Sequence, residues 1–262
     1  YSIKSGPNDE KKYRARYVAK GYSQVENIDY TETFSPTARI TSVRMLMQLA
    51  VNNDYVVHQM DFKSAYLNAN IDHEIYVQQP EGYEQYSNGV KLVCKLNKSL
   101  YGLKQSGRCW NKLLHDFLTN MNFVQSLSDH CVYTKNLQDG GIIIIIVWVD
   151  DLIIASSKLS DVNDIKNALR DKFSMKDLGR LSWFLGIQFI FNEGVIKMNQ
   201  TNYAEKLLER FQMMNCNPKP TPCELNVNKP NDLSSEDLCD PRSYREMVGS
   251  LIYLMTSTRP DL

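Results

Sequence analysis

The 262-residue sequence has no excess of charge of either sign, with 30 Lys and Arg against 30 Asp and Glu. A chain that is basic throughout, the simplest form of nucleic-acid binder, is thereby excluded, although a local basic groove is not. Its six cysteines (Cys94, Cys109, Cys131, Cys216, Cys223 and Cys239) form no CxxC pair and no zinc-ligand spacing with the four histidines. No disulfide framework is expected at this length, and the thiols read as reduced, in an intracellular protein. Long hydrophobic runs are missing too. The most apolar stretch, 142–149, falls far short of the roughly 20 residues needed to span a bilayer, so no membrane is implied. There is no initiator Met, no signal or transit peptide and no internal repeat, and the chain reads as a segment of something longer. What is present is ordinary: 43% hydrophobic and 23% charged residues, enough for a globular core without covalent staples.

Apolar residues recur at helical spacing at Trp110, Leu113, Leu114, Phe117, Leu118 and Met121, and again at Val162, Ile165, Leu169 and Phe173 after a Ser160/Asp161 cap signal. A further helix fits Tyr203, Leu207, Leu208 and Phe211, and another starts at Thr41/Ser42. These faces read as plain core. Strands are expected at 55–61, 92–96, 142–149, 152–156 and 184–191, the last turning at Asn192-Glu193-Gly194 into 195–198. Helices on a mostly antiparallel sheet make the class α+β. Five of the nine prolines fall between 218 and 241, which marks a linker before a short C-terminal piece.

Two carboxylates interrupt the most apolar part of the chain. Asp150 and Asp151 sit between the β-rich runs 142–149 and 152–155, so a hairpin should carry both at its tip. Alone, the pair reads as a solvent-exposed turn, since Asp is a common turn residue. A second strand, 56–61, also ends in an acid, Asp61, and is followed by Phe62-Lys-Ser-Ala-Tyr-Leu-Asn68. Setting Asp61 beside Asp150 would bring carboxylates together for two Mg²⁺ ions roughly 3.5–4 Å apart, an arrangement suited to in-line displacement at phosphorus.

These residues resemble the reverse transcriptase of copia-type LTR retrotransposons. The matching phrases are Tyr13-Arg-Ala-Arg-Tyr-Val-Ala-Lys-Gly21, Thr33-Phe-Ser-Pro36, His58-Gln-Met-Asp-Phe-Lys-Ser-Ala-Tyr-Leu-Asn68 and Gln79-Pro-Glu-Gly82. They continue with Lys98-Ser-Leu-Tyr-Gly-Leu-Lys-Gln-Ser106, Val147-Trp-Val-Asp-Asp151, Met175-Lys-Asp-Leu-Gly179, Phe184-Leu-Gly-Ile187 and Thr258-Arg-Pro-Asp261. The phrases run in the family's order over essentially the whole chain. The resemblance implies a polymerase right hand of fingers, palm and thumb, with the catalytic carboxylates on the palm sheet. It places fingers, palm and thumb within 1–225, the palm at about 54–68 and 101–190 and a thumb-like part at 191–225. Residues 226–262 would be a linker and the start of the connection towards a ribonuclease H domain.

By the same resemblance, Asp61, Asp150 and Asp151 are the catalytic acids and ligands of two Mg²⁺ ions, with Mn²⁺ as a substitute and the Phe62 carbonyl facing a metal. Tyr66 would lie under the incoming sugar and exclude a 2′-hydroxyl. Lys4, Arg14 and Arg16 would clamp the triphosphate, Gly102 would let the backbone approach the nucleotide, and Lys176 would protonate the departing pyrophosphate. Tyr101, Lys104, Gln105 and Trp148 would face template or primer, and Phe184, Leu185 and Gly186 would form the primer grip. Partners are an RNA template, a DNA primer/template duplex and deoxynucleoside triphosphates, together with the ribonuclease H and integrase domains of a Pol polyprotein. The setting would be the cytoplasm, in a virus-like particle.

Two residues depart from the family pattern: Trp148 stands where a Tyr is usual, and Gly107 where a Pro is usual. The competing reading is a catalytically decayed or co-opted nucleic-acid-binding module that keeps the fold. The neutral sum also hides segregation. Residues 1–24 carry six basic and two acidic side chains, and 91–112 carry six basic and none acidic, interleaved with Tyr101 and Trp110. A basic groove leading to an acidic centre is the expectation.

Overall fold

The computed structural model describes residues 2–5, 11–219 and 240–262. Strands β1 (Ser2–Ser5) and β2 (Lys11–Arg14) pair antiparallel, and helix α1 spans Ile40–Asn52. Strand β3 (Val56–Phe62) follows, then the short strands β4 (Tyr76–Gln78), β5 (Tyr86–Ser87), β6 (Val90–Lys91) and β7 (Val93–Lys95). Helix α2 (Ser106–Asn120) leads into β8 (Val124–Gln125), β9 (Val132–Asn136), β10 (Ile142–Trp148) and β11 (Asp151–Ser156). Helix α3 (Leu159–Lys172), β12 (Met175–Arg180), β13 (Trp183–Phe184), β14 (Ile187–Asn192) and β15 (Val195–Asn199) come next. Helices α4 (Thr201–Arg210) and α5 (Pro241–Ser257) complete the chain.

The chain divides into two units. One comprises residues 1–42 and 55–180, the other residues 43–54 and 181–262. Residues 183–192 thus group with the C-terminal helices. The linker expected at 218–241 falls mostly on 220–239, outside the described residues.

The first unit is built on a six-stranded antiparallel sheet in the order β12-β3-β11-β10-β9-β8. Strand alternation sorts its side chains to two faces. Met60, Phe62, Leu152, Ile154, Ile143, Ile145 and Val147 join Trp110, Leu114 and Leu118 of α2 and Val162, Ile165 and Leu169 of α3 in one buried cluster. An aromatic knot lies within it. The Phe62 ring meets Trp110 edge-on at 4.8 Å and Phe173 at 5.4 Å, and Phe117 meets Phe173 at 5.2 Å. The opposite face of the central strands carries Gln59, Asp61 and Asp151, so the alternation that builds the core also sends these acids away from it.

Several elements differ from expectation. Helix α2 starts four residues before the expected 110, with Gly107 inside its first turn. The Ser35 hydroxyl donates to the Gly107 carbonyl there. Helix α3 starts at Leu159, so Asp161 lies inside the first turn, where the helix dipole favours an acid, and accepts from the Ser156 hydroxyl at 3.0 Å. The strand expected over 184–191 is broken into β13 and β14 by a two-residue turn at Leu185 (φ 50°) and Gly186 (φ 75°). Positive φ at both positions is the hairpin geometry whose twist suits paired strands. The Tyr253 hydroxyl of α5 donates to the Leu185 carbonyl and holds the turn.

Candidate active site

Hairpin β10–β11 is closed by a loop of only two residues, Val149 and Asp150, since Trp148 pairs with Asp151. Val149 has φ of 54°, a left-handed conformation that costs a β-branched residue about 1–3 kcal/mol. Such strain persists only where neighbours fix the backbone. Here the Trp110 indole N–H donates to the Val149 carbonyl at 2.7 Å, and the Phe62 amide donates to the Asp150 carbonyl at 2.7 Å. Both donors belong to the aromatic knot beneath the sheet.

The register then sets the acids. Asp151 of β11 lies directly opposite Asp61 of β3, and Asp61 lies opposite Lys176 of β12. Directly opposed residues on antiparallel strands share a face, with Cβ atoms about 4.5–5.5 Å apart. Trp148, Asp151, Asp61 and Lys176 therefore form one row across four strands, with Asp150 at the adjoining tip. The acids are half-buried and Lys176 is exposed. Burial raises the Asp151 carboxyl above its ordinary value, and the charge of Asp150, with a smaller share from Asp61, raises it further. A hydrogen bond from the Gln59 amide, at 3.4 Å, opposes the rise. Like charges converge at the site.

An all-carboxylate donor set of this kind suits a hard divalent cation. Among the described residues, no three Asp, Glu, His or Cys side chains are placed to enclose a metal unaided. Mg²⁺ sites on phosphoryl-transfer enzymes commonly use one or two carboxylates, with substrate phosphates and water completing the shell. The residues present fit that pattern.

Tyr66 sits on a short 3₁₀ turn (Ala65–Asn68) just after β3, entered through Ser64 at φ 55°. Its ring lies 4.7 Å from that of Tyr101. Burial raises its hydroxyl pKa first, and the charge of Asp150 adds to the rise. The Arg16 guanidinium stands 5.4 Å over the Tyr101 ring, so Arg16, Tyr101 and Tyr66 form a stack that ends beside Asp150. A cleft of about 120 Å³ runs between Tyr66, Val149, Trp110 and the Ser35–Thr37 segment.

This geometry, acids gathered on a sheet beside a pair of aromatic rings, agrees with what similarity shows. Residues 1–225 match the family described as reverse transcriptase (RNA-dependent DNA polymerase). The chain belongs to this family. It is 38% identical over 258 residues to the retrovirus-related Pol polyprotein from transposon TNT 1-94 of Nicotiana tabacum, covering 96% of this chain and 19% of that protein. It is 37% identical over 252 residues to the Pol polyprotein from transposon RE1 of Arabidopsis thaliana, covering 96% and 17%. The chain thus spans under a fifth of the length of these relatives. Among solved structures, apo telomerase of Candida tropicalis matches with a TM-score of 0.35 at 10% identity, over 62% of this chain and 39% of that one. The copia-type resemblance and the α+β polymerase fold are borne out by the family match and the Pol polyprotein relatives. Reverse transcriptases use divalent metal ions, which the donor set here accommodates.

The remaining residues fall as follows. Gln105, expected at the template, is instead fully buried. Its amide donates to the Asp29 carbonyl at 2.7 Å and its oxygen accepts from Gln24 at 3.0 Å, so the side chain serves the fold. Gly102 has φ of 95°, and a Cβ there would lie 2.1 Å from the Ala19 carbonyl oxygen. The close approach it permits in this structure is to its own chain. Lys104 reaches the Tyr30 hydroxyl at 3.1 Å and stands 4.8 Å over that ring. Trp110 is 2% exposed and offers no stacking surface to a base. The Phe62 side chain is core, and its amide braces the hairpin tip. Phe184, Leu185 and Gly186 lie in the second unit, Phe184 buried and the other two forming the turn held by Tyr253. Lys4 and Arg14 are on β1 and β2, and their side chains lie outside the described residues.

Sequence reasoning overlooked a charged cluster on the core side of β3. Lys166 of α3, 2% exposed, donates to both oxygens of Asp177 at 2.9 and 3.1 Å and contacts the His58 imidazole, while Arg170 reaches Asp177 at 2.7 Å. The signal was the lysine at a core position of the α3 repeat. Four of the cysteines (Cys94, Cys109, Cys131 and Cys216) are free thiols, and Cys223 and Cys239 lie outside the described residues. No described helix is long and apolar enough to cross a membrane.

Proposed function

We propose that this chain is the polymerising part of a retrotransposon Pol polyprotein, an RNA-directed and DNA-directed DNA polymerase that extends a primer 3′-hydroxyl with deoxynucleotides. The row of Asp151, Asp61 and Lys176 with Asp150 at its tip is the observation that carries the reading. Asp61, Asp150 and Asp151 would hold two Mg²⁺, or Mn²⁺ in its place, which would supply activation of the attacking hydroxyl and neutralisation of the leaving pyrophosphate. Lys176, opposite Asp61, is the group within the row that can give a proton to that pyrophosphate. The Phe62 carbonyl adds an oxygen at the same end of β3. Arg14, Arg16 and Lys4 are assigned to the triphosphate, Arg for its bidentate fork. Tyr66, with Tyr101 behind it, is the sugar-side wall. Trp148 and Lys104 face primer and template, and the 184–186 turn grips the primer.

The partners that follow are an RNA template, a primer/template duplex and deoxynucleoside triphosphates. Ribonuclease H and integrase are the neighbouring domains of the whole polyprotein, and we place synthesis in the cytoplasm within a virus-like particle. Primer extension on an RNA template tests the reading through Tyr66. Tyr66→Ala should raise ribonucleotide incorporation relative to deoxynucleotide by about tenfold or more, a change of about 1.4 kcal/mol in discrimination. Duplex binding without extension by the wild-type chain would instead favour a non-catalytic scaffold.

A further inference from the structure

We infer that Trp110 is a positioning residue for the catalytic hairpin, acting through its indole N–H on the carbonyl of Val149; the inference rests on the polymerase reading above. The loop Val149–Asp150 is the shortest that can join β10 to β11, and its first residue is β-branched at φ of 54°. Left to itself, such a loop would relax towards a conformation Val can adopt without strain. Relaxation at Val149 would swing the next residue, Asp150, away from Asp61 and Asp151.

Two bonds oppose it, and they come from side-by-side residues of one buried cluster. Phe62 is 1% exposed and Trp110 is 2% exposed, their rings in edge contact at 4.8 Å. The Phe62 amide holds Asp150 from the β3 side, and the Trp110 indole holds Val149 from the α2 side, each at 2.7 Å. The first bond comes from the backbone and survives any side-chain change. The second depends on a single side-chain N–H, that of the Trp110 indole. Phe at this position would keep an aromatic ring in the cluster, at the cost of some packing volume, and remove the donor to the Val149 carbonyl. Trp110 is thus distinct from its neighbours Leu114 and Leu118, which share its helix face and its burial but carry no polar atom.

The test removes the donor, with the benzothiophene analogue keeping the bicyclic shape that Phe loses. In the full chain, Trp110→Phe and, for a closer isostere, Trp110 replaced by its benzothiophene analogue are compared with wild type by primer extension and by amide hydrogen exchange. The expected result is a kcat lower by about 10–100-fold, the loss usual for groups that orient metal-ligating side chains, with KM for deoxynucleotide changed less than about threefold. Faster exchange should be confined to residues 148–152, with strand 143–147 still protected. Val149→Gly, free to adopt positive φ, should restore part of the lost kcat in the Trp110→Phe background. Unchanged exchange at 148–152 and unchanged kcat in the benzothiophene variant would reduce Trp110 to a packing residue. If the wild type itself extends no primer, the polymerase reading fails, while hydrogen exchange still decides whether the indole N–H holds the loop.

Discussion

The Asp151 carboxyl carries an energetic penalty built into the site. Burial raises its pKa first, and the charge of Asp150 next. An acid whose pKa rises on folding binds its proton more tightly in the folded chain than in the unfolded one. Its ionisation therefore erodes stability as pH climbs through the ordinary carboxylate range towards the folded value, and the penalty is complete above that value. Asp151→Asn should consequently melt higher than wild type at pH 7.5 without metal. The gap should close near pH 3, where both states of the wild type are protonated, and it should narrow when Mg²⁺ is added at neutral pH. Differential scanning calorimetry at the two pH values reads this directly. Equal melting temperatures at pH 7.5 would mean that the like charges are not in conflict. At this scale the acids were legible in the sequence, because two β-rich runs flanking paired Asp imply a hairpin tip. The role of Trp110 was not: helical spacing marks it as core, and its hydrogen-bond partner lies 39 positions along the chain.

Among the elements, β3 is held from both sides. On its core side, His58 meets Lys166, and Lys166 ties α3 to Asp177 of β12. Burial, then the Lys166 ammonium, lowers the His58 pKa, with Arg180 adding to the effect and Asp177 opposing it. Burial of Asp177 would raise its carboxyl, but the Gly179 amide and Lys166 outweigh it and hold the value below the usual range. Both groups bind a proton less readily folded than unfolded. Their contribution is complete above the unfolded values, near pH 6.5 for the imidazole, and is lost as pH falls below them. Urea midpoints should therefore drop between pH 7.5 and pH 5. Lys166→Met should cost about 2–3 kcal/mol at pH 7.5 by leaving Asp177 with less compensation. A flat midpoint across that range would contradict the account. Helices α2 and α3 and the hairpin β10–β11 could be read from periodicity. Strand β12 could not, since it is an exposed edge with a bulge at Leu178 and Gly179 and shows no alternation. Helix α5 has a readable start, Asp240 before Pro241 with its carboxylate accepting from the Ser243 amide at 2.9 Å, but the prolines that precede it mark a linker rather than a helix.

On the scale of the whole molecule, the balance of 30 against 30 charges is a sum over separated regions. Folding narrows the basic run of 91–112, because Lys91 meets Glu84 at 3.5 Å and Lys95 meets Glu74 at 2.7 Å. Arg108 and Lys112, one turn apart on α2, remain exposed. Arg108→Ala with Lys112→Ala should weaken duplex binding across sequences and reduce the slope of log affinity against log salt by about 1–2. An unchanged slope would move the nucleic acid elsewhere. The central claim is that the three acids form one metal-dependent polymerising centre, and primer extension by Asp150→Asn under Mg²⁺ tests it most directly. The account predicts a loss of at least about 100-fold in extension, corresponding to about 3 kcal/mol, with duplex affinity retained. Extension by Asp150→Asn at the wild-type rate would contradict it.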